Sequence, residues 1–217
     1  MLPAWVLFDL NGTLLDTSAI AEPLGAAPEV GAELLDLAVW QAMAGTLAGV
    51  YRPLPEYMRA AIERRVELDG LEPDGVEPAL ERAAAMPPFP EAGDALEILL
   101  DAGVRVGVLS NSATDAATQA LESAGLRDRV EMVIGSDEAQ VFKPANALYS
   151  HGLARAGVLP KDAAMVAAHW WDVQGAARAG MRTGWVSRRE RTLLGTVPEP
   201  DFRGGDLAEV AERIVAG

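Results

Sequence analysis

The sequence predicts an α/β protein, a doubly wound parallel sheet with a helical domain inserted after its first strand. Three observations carry this expectation. An apolar run, Val6 to Phe8, stops at Asp9 and is followed by Asn11-Gly12, a pair that favours a turn with positive φ. Residues 17–88 then show apolar residues at helical spacing and no convincing strand. From residue 91 onward short apolar runs alternate with amphipathic stretches, the signature of successive strand–helix units. The expected division is a core of residues 1–15 and 90–217, with a helical domain of residues 16–89.

Taken in order, Val6–Phe8 reads as a buried strand, a short apolar run bounded by turn residues. Leu34, Leu35, Ala38 and Val39 mark the first helix of the insert, Glu56–Leu68 the second and Pro78–Met86 a shorter third. Pro87-Pro88-Phe89-Pro90 closes the segment as a stiff link. Glu91–Ala102 is a helix with Leu96, Leu99 and Leu100 on one face and Gly103 as its stop. Val104–Leu109 is a strand, and Thr114–Ala124 a helix capped by Thr114 or Asp115. Glu131–Ile134 and Met165–Ala168 are strands, separated by a helix over Pro144–Ala156. Val173–Ala179, Thr183–Val186 and Asp206–Val215 complete the alternation as helix, strand and helix, with 188–205 read as loop.

Half of the 217 residues are hydrophobic, enough for a sizeable core. No apolar run approaches the roughly 18 residues of a membrane span, so no membrane partner is expected. The N-terminus lacks the basic segment and cleavage site of a signal peptide, and there is no cysteine for disulfide or thiolate chemistry. A cytoplasmic protein is the expectation. The net charge of −14 argues against nucleic acid as a partner. It also requires that a small anionic substrate be held by a local positive group.

Open parallel sheets bind ligands outside the carboxyl ends of their strands. Each predicted strand ends there in polar residues. Asp9 follows the first, Ser110-Asn111-Ser112 the second, Lys143 the third and its loop, and His169-Trp170-Trp171-Asp172 the fourth. A nucleophilic carboxylate, a hydroxyl, an ammonium and a second carboxylate converging on one edge would form a covalent-catalysis site.

These four motifs, Asp9-Leu10-Asn11-Gly12-Thr13, Leu109-Ser110-Asn111, Phe142-Lys143-Pro144 and Trp171-Asp172, resemble those of the haloacid dehalogenase-like hydrolase superfamily in order and spacing. The resemblance spans nearly the whole chain and implies a Rossmann-like core with an inserted helical cap. It implies that Asp9 forms a covalent ester with substrate, while Ser110 and Lys143 orient groups and neutralise charge. The superfamily's phosphatases carry a second Asp where this chain has Asn11, and an acidic magnesium ligand where it has His169. An amide supplies no proton, and Mg²⁺ wants hard oxygen ligands. The chain looks closer to the 2-haloacid dehalogenases, which need no metal or other cofactor. In that branch, Asn111 would lie in the halide pocket, Lys143 would keep Asp9 ionised, and Asp172 would hold Lys143 and help activate water. Thr13 and Tyr149 would support the nucleophile and the substrate carboxylate. Trp170 and Trp171 read first as packing residues, with Trp171 the candidate to wall the pocket.

The chain also departs from that branch. Asn11 replaces an aromatic residue, Gln41 stands where the halide-gripping cap arginine is expected, and His169 replaces an asparagine. Arg52 and Arg59 are the alternative cap cations. An imidazole titrating near neutrality suits His169 to accept a proton from water, with Glu22 as the group that orients it. The resemblance leaves three readings: a hydrolytic dehalogenase of small 2-haloalkanoic acids, a phosphatase using Mg²⁺ with altered acid and metal residues, and a non-catalytic binding protein. Cap helices in this branch often contribute to homodimers.

Overall fold

The computed structural model describes residues 2–217. Its centre is a sheet of six parallel strands: β1 (Trp5–Phe8), β2 (Arg105–Leu109), β3 (Met132–Ile134), β4 (Ala163–Ala167), β5 (Arg182–Val186) and β6 (Phe202–Gly204). The strands lie in the order β3-β2-β1-β4-β5-β6. The chain therefore builds outward from β1 in one direction, returns, and builds outward in the other. This reversal puts a crevice at the carboxyl ends of β1 and its neighbours. Every residue of β1 and β4 is buried, as expected of central parallel strands covered on both faces.

Three helices lie between β1 and the rest of the core: α1 (Glu29–Leu47), α2 (Leu54–Asp69) and α3 (Val76–Ala84). Leu34, Leu35, Ala38 and Val39 of α1 are buried with Met58, Ala61 and Ile62 of α2, so the predicted apolar spacing marks the face that packs. The core helices are α4 (Ala92–Asp101), α5 (Thr114–Ser123), α6 (Asn146–Ala156), α7 (Trp170–Arg178) and α8 (Leu207–Ala216). Among the described residues no helix is long and apolar enough to cross a membrane.

Three local expectations need correction. The stretch 188–205 is not all loop, because Phe202–Gly204 pairs with Gly184–Val186 as the edge strand β6. The helix after Lys143 starts at Asn146 rather than Pro144. Neither Thr114 nor Asp115 caps α5; Ala113 occupies the cap position, and Asp137 accepts the Thr114 backbone N–H at 2.8 Å from 23 residues away.

Candidate active site

Asp9 leaves the carboxyl end of β1, its backbone N–H still bonded to the Val166 carbonyl of β4. The turn that follows depends on Gly12 at φ +80°, a conformation that glycine adopts without strain. Gly12 also makes room: a β-carbon there would stand 2.9 Å from Cε1 of His169. The turn brings Thr13 back onto Asp9, where its hydroxyl donates to Oδ2 at 2.7 Å and accepts from the Ala168 backbone N–H at 3.0 Å.

Lys143 is fully buried, which is costly unless each ammonium proton finds a partner. All three do. Nζ donates to Asp9 Oδ1 at 2.8 Å, Asp172 Oδ2 at 2.6 Å and the Leu109 carbonyl at 2.7 Å. Burial pulls the lysine's pKa down, but Asp172 and Asp9 outweigh it and hold the ammonium above its ordinary range. On Asp172, Oδ1 accepts the Tyr149 hydroxyl at 2.7 Å. Gly175 permits that contact, since a β-carbon there would meet the Tyr149 hydroxyl at 2.4 Å.

His169 Nδ1 lies 3.0 Å from Asp9 Oδ2. A carboxylate only accepts, so Nδ1 carries the proton in this pairing. Burial lowers the imidazole's pKa, but the Asp9 hydrogen bond and charge reverse the effect and leave it raised. The ring stacks on Trp171, with centroids 4.9 Å apart. For Asp9, burial opposes ionisation, yet Lys143 and His169 together hold the carboxyl well below its usual range. The free site therefore presents an ionised carboxylate flanked by two nitrogen donors.

Asn111 Oδ1 accepts the Lys143 backbone N–H at 2.8 Å, which fixes the orientation of the amide. Its Nδ2 is buried without a protein partner. Asp9, Ser110, Asn111, His169 and Trp171 line one small cavity of about 10 Å³, roughly the space of one water. Ser110 Oγ accepts the Ser112 backbone N–H at 3.0 Å, and Asn11 Nδ2 donates to Ser112 Oγ at 3.1 Å. The cavity's apolar walls are Leu35 and Val39, which helical spacing marks only as core positions, and Leu54, which the sequence reading does not single out.

Several expected site residues lie elsewhere. Tyr149 is sealed under Asp172 and does not line the cavity, so it is placed to hold a carboxylate of the protein rather than one of a substrate. Gln41 donates to the Leu37 carbonyl of its own helix at 3.2 Å and also stays off the cavity. Arg52 is exposed and paired with Glu56, and Arg59 is paired with Glu77. Glu22 faces Arg82 at 3.4 Å, so Asp9, not Glu22, is the carboxylate that orients His169.

The donor set fits magnesium poorly. Lys143 and His169 occupy the flanks of Asp9, both oxygens of Asp172 are taken, and position 11 offers an amide. Among the described residues no group of three or more His, Cys, Asp or Glu side chains is arranged to hold a metal ion.

The sequence profile of the haloacid dehalogenase-like hydrolases matches residues 4–180. The chain is 28% identical over 213 residues to an (S)-2-haloacid dehalogenase of Pseudomonas sp. strain CBS-3, covering 93% of this chain and 92% of that one. It is 38% identical to a phosphoserine phosphatase of Thermus thermophilus, but over 127 residues that cover 57% of this chain and 50% of that one. Its fold superposes with a TM-score of 0.89 on an L-2-haloacid dehalogenase from Xanthobacter autotrophicus with chloropropionic acid covalently bound, at 24% identity and 99% coverage of both chains. With the profile spanning most of its length, this chain belongs to the haloacid dehalogenase-like hydrolase family.

Proposed function

We propose that this hydrolase is a metal-independent dehalogenase of 2-haloalkanoic acids that works through an ester on Asp9, with residues 16–89 as a cap over a core of residues 1–15 and 90–217. The observation that carries this reading is the pairing of an ionised Asp9 with Asn11 two residues on. A phosphoester's alkoxide leaving group needs a proton, which an amide does not give. A halide leaves as a stable anion without one.

In the first step a carboxylate oxygen of Asp9 attacks the carbon bearing the halogen. The C–O bond forms as the C–halogen bond breaks, and the halide departs with the electron pair. The unpartnered N–H of Asn111, which lines the same cavity, is a donor available to that anion. Ester formation consumes the charge on Asp9, and with it the hydrogen bond and the charge that do most to raise His169. The Nδ1 proton is then released, and Nδ1 becomes the base closest to the ester. In the second step it takes a proton from water while the oxygen attacks the Asp9 carbonyl, passes that proton to the departing alkoxide as the acyl–oxygen bond breaks, and recovers the remaining carboxyl proton, which frees the 2-hydroxy acid and restores the carboxylate beside a protonated imidazole. Asp172 has both oxygens occupied and acts as the anchor of Lys143, so water activation falls to His169.

Halide release from chloroacetate and 2-chloropropionate in the presence of a chelator tests the reading, beside an aryl phosphate with Mg²⁺. His169→Ala should lose roughly 10²–10⁴-fold in turnover. Its intact mass should rise by the acyl fragment, an increase absent in Asp9→Asn. Phosphate release with Mg²⁺ and no halide from either acid would overturn the proposal.

A further inference from the structure

Two larger hollows adjoin the small cavity over Asp9, and they differ in character. One, of about 390 Å³, is reached past His169 and Leu35 and is lined by Arg188, Arg189 and Glu190. The other, of about 530 Å³, shares Asn11 and Leu54 with the cavity. It runs between the cap helices α2 and α3 and the core helix α5, and its walls are mostly apolar: Leu54, Met58, Leu80, Met86 and Ala120. Its size falls within the range of small-molecule sites. The cavity at Asp9 holds about one water, so even a small haloacid must extend beyond it.

Resting on the dehalogenase reading, we propose that the apolar hollow receives the tail of the substrate, making medium-chain 2-halocarboxylic acids, alkyl or aryl, the preferred class. Leu54 is the side chain that separates head-group cavity from tail groove and sets how far a chain extends. The charged hollow beyond His169 suits water and departing anions and would penalise an alkyl chain. The groove and the reacting centre share Asn11 and Leu54 as lining residues, so a chain attached to the reacting carbon that passes Leu54 enters the groove.

The test compares halide release from 2-bromopropionate, 2-bromohexanoate and 2-bromooctanoate. In the unmodified protein kcat/KM should rise by about two- to fourfold for each methylene buried until the groove is filled. Ala116→Trp on α5 and Ala84→Trp on α3 fill the groove from opposite walls at exposed positions, so either serves if the other misfolds. Each should flatten that rise, read as the ratio of octanoate to propionate substrates. Calorimetric binding of unhalogenated octanoate and propionate separates the two proposals. Octanoate bound at least tenfold tighter than propionate, and losing that margin in both variants, supports the groove even if no acid yields halide, in which case only the dehalogenase reading falls. Octanoate bound no tighter than propionate, whether because the groove is closed or because a second copy of the chain covers it, overturns the tail-site assignment whatever the halide result.

Discussion

The two sides of the Lys143 ammonium are built differently, although each ends in an aspartate. On the β1 side, Asp9 faces a cavity, and its oxygens are met by Lys143, Thr13 and His169. Burial works against its charge, but Lys143 and His169 prevail and the carboxyl is held well below its usual range. On the β4–α7 side, Asp172 is sealed from solvent under Tyr149. There burial dominates, the nearby charge of Asp9 adds to it, and the carboxyl's pKa is raised despite Lys143. Neighbouring carboxylates whose environments push them apart take different roles. The cavity-facing, charge-stabilised one suits the attack proposed above. The enclosed one is fitted to hold its partner still.

The largest expected effect comes from removing the group they share. Lys143→Met leaves two buried carboxylates without their cation, which should destabilise the fold by about 3–5 kcal/mol and reduce turnover to background. Denaturant unfolding at neutral pH measures the first, halide release the second. The comparison then sharpens in the double variants. Asp9 retains His169 and Thr13, whereas Asp172 retains only Tyr149. Asp172→Asn should therefore restore more stability to Lys143→Met than Asp9→Asn does. Equal rescue would mean that the two sides are energetically alike.

Much of the asymmetry was hidden from sequence, for physical reasons. The strand ends were readable because an apolar run cut off by Asp9, or by Ser110 and Asn111, is a local signal, and parallel topology then sends all such ends to one edge. The helical insert was readable from the spacing of Leu34, Leu35, Ala38 and Val39. What those positions face was not. Leu35 and Val39 wall the cavity while Leu34 and Ala38 pack in the core, a difference set by how α1 rests on the sheet edge. Tyr149 was expected to touch substrate; its burial under Asp172 depends on the approach of α6 to α7 at Gly175. The strand β6 spans Phe202–Gly204, too short to show a period in the chain.

A smaller change probes the enclosed side. Tyr149→Phe leaves Asp172 Oδ1 without its donor, and the loss of a buried carboxylate's hydrogen bond should cost about 1–3 kcal/mol. Turnover of a short haloacid should fall less than stability suggests, with KM unchanged, because Tyr149 is not on the cavity. A raised KM with normal stability would return Tyr149 to the substrate's side.

The open side is tested through pH. His169 has its folded pKa raised above 6.5, so the native state binds that proton more tightly than the unfolded chain. Its contribution to stability is complete below 6.5 and fades as pH rises through the folded value. Asp9 is the mirror case: lowered from 3.8, it contributes fully above that value and is lost as pH falls through its folded pKa. The pair is thus at full strength between 3.8 and 6.5. His169→Asn keeps an amide donor near Asp9 but cannot carry the charge. The stability gap between the parent and this variant should be widest in that window, at most about 1.5–3 kcal/mol, and narrow toward alkaline pH. Unfolding of both proteins at about pH 5.5 and about pH 9 measures it. A gap that stays constant would mean that the imidazole is neutral beside Asp9 in the resting protein. Ester formation would then have no charge to release, and His169 would lose the property that makes it a base only after the first step.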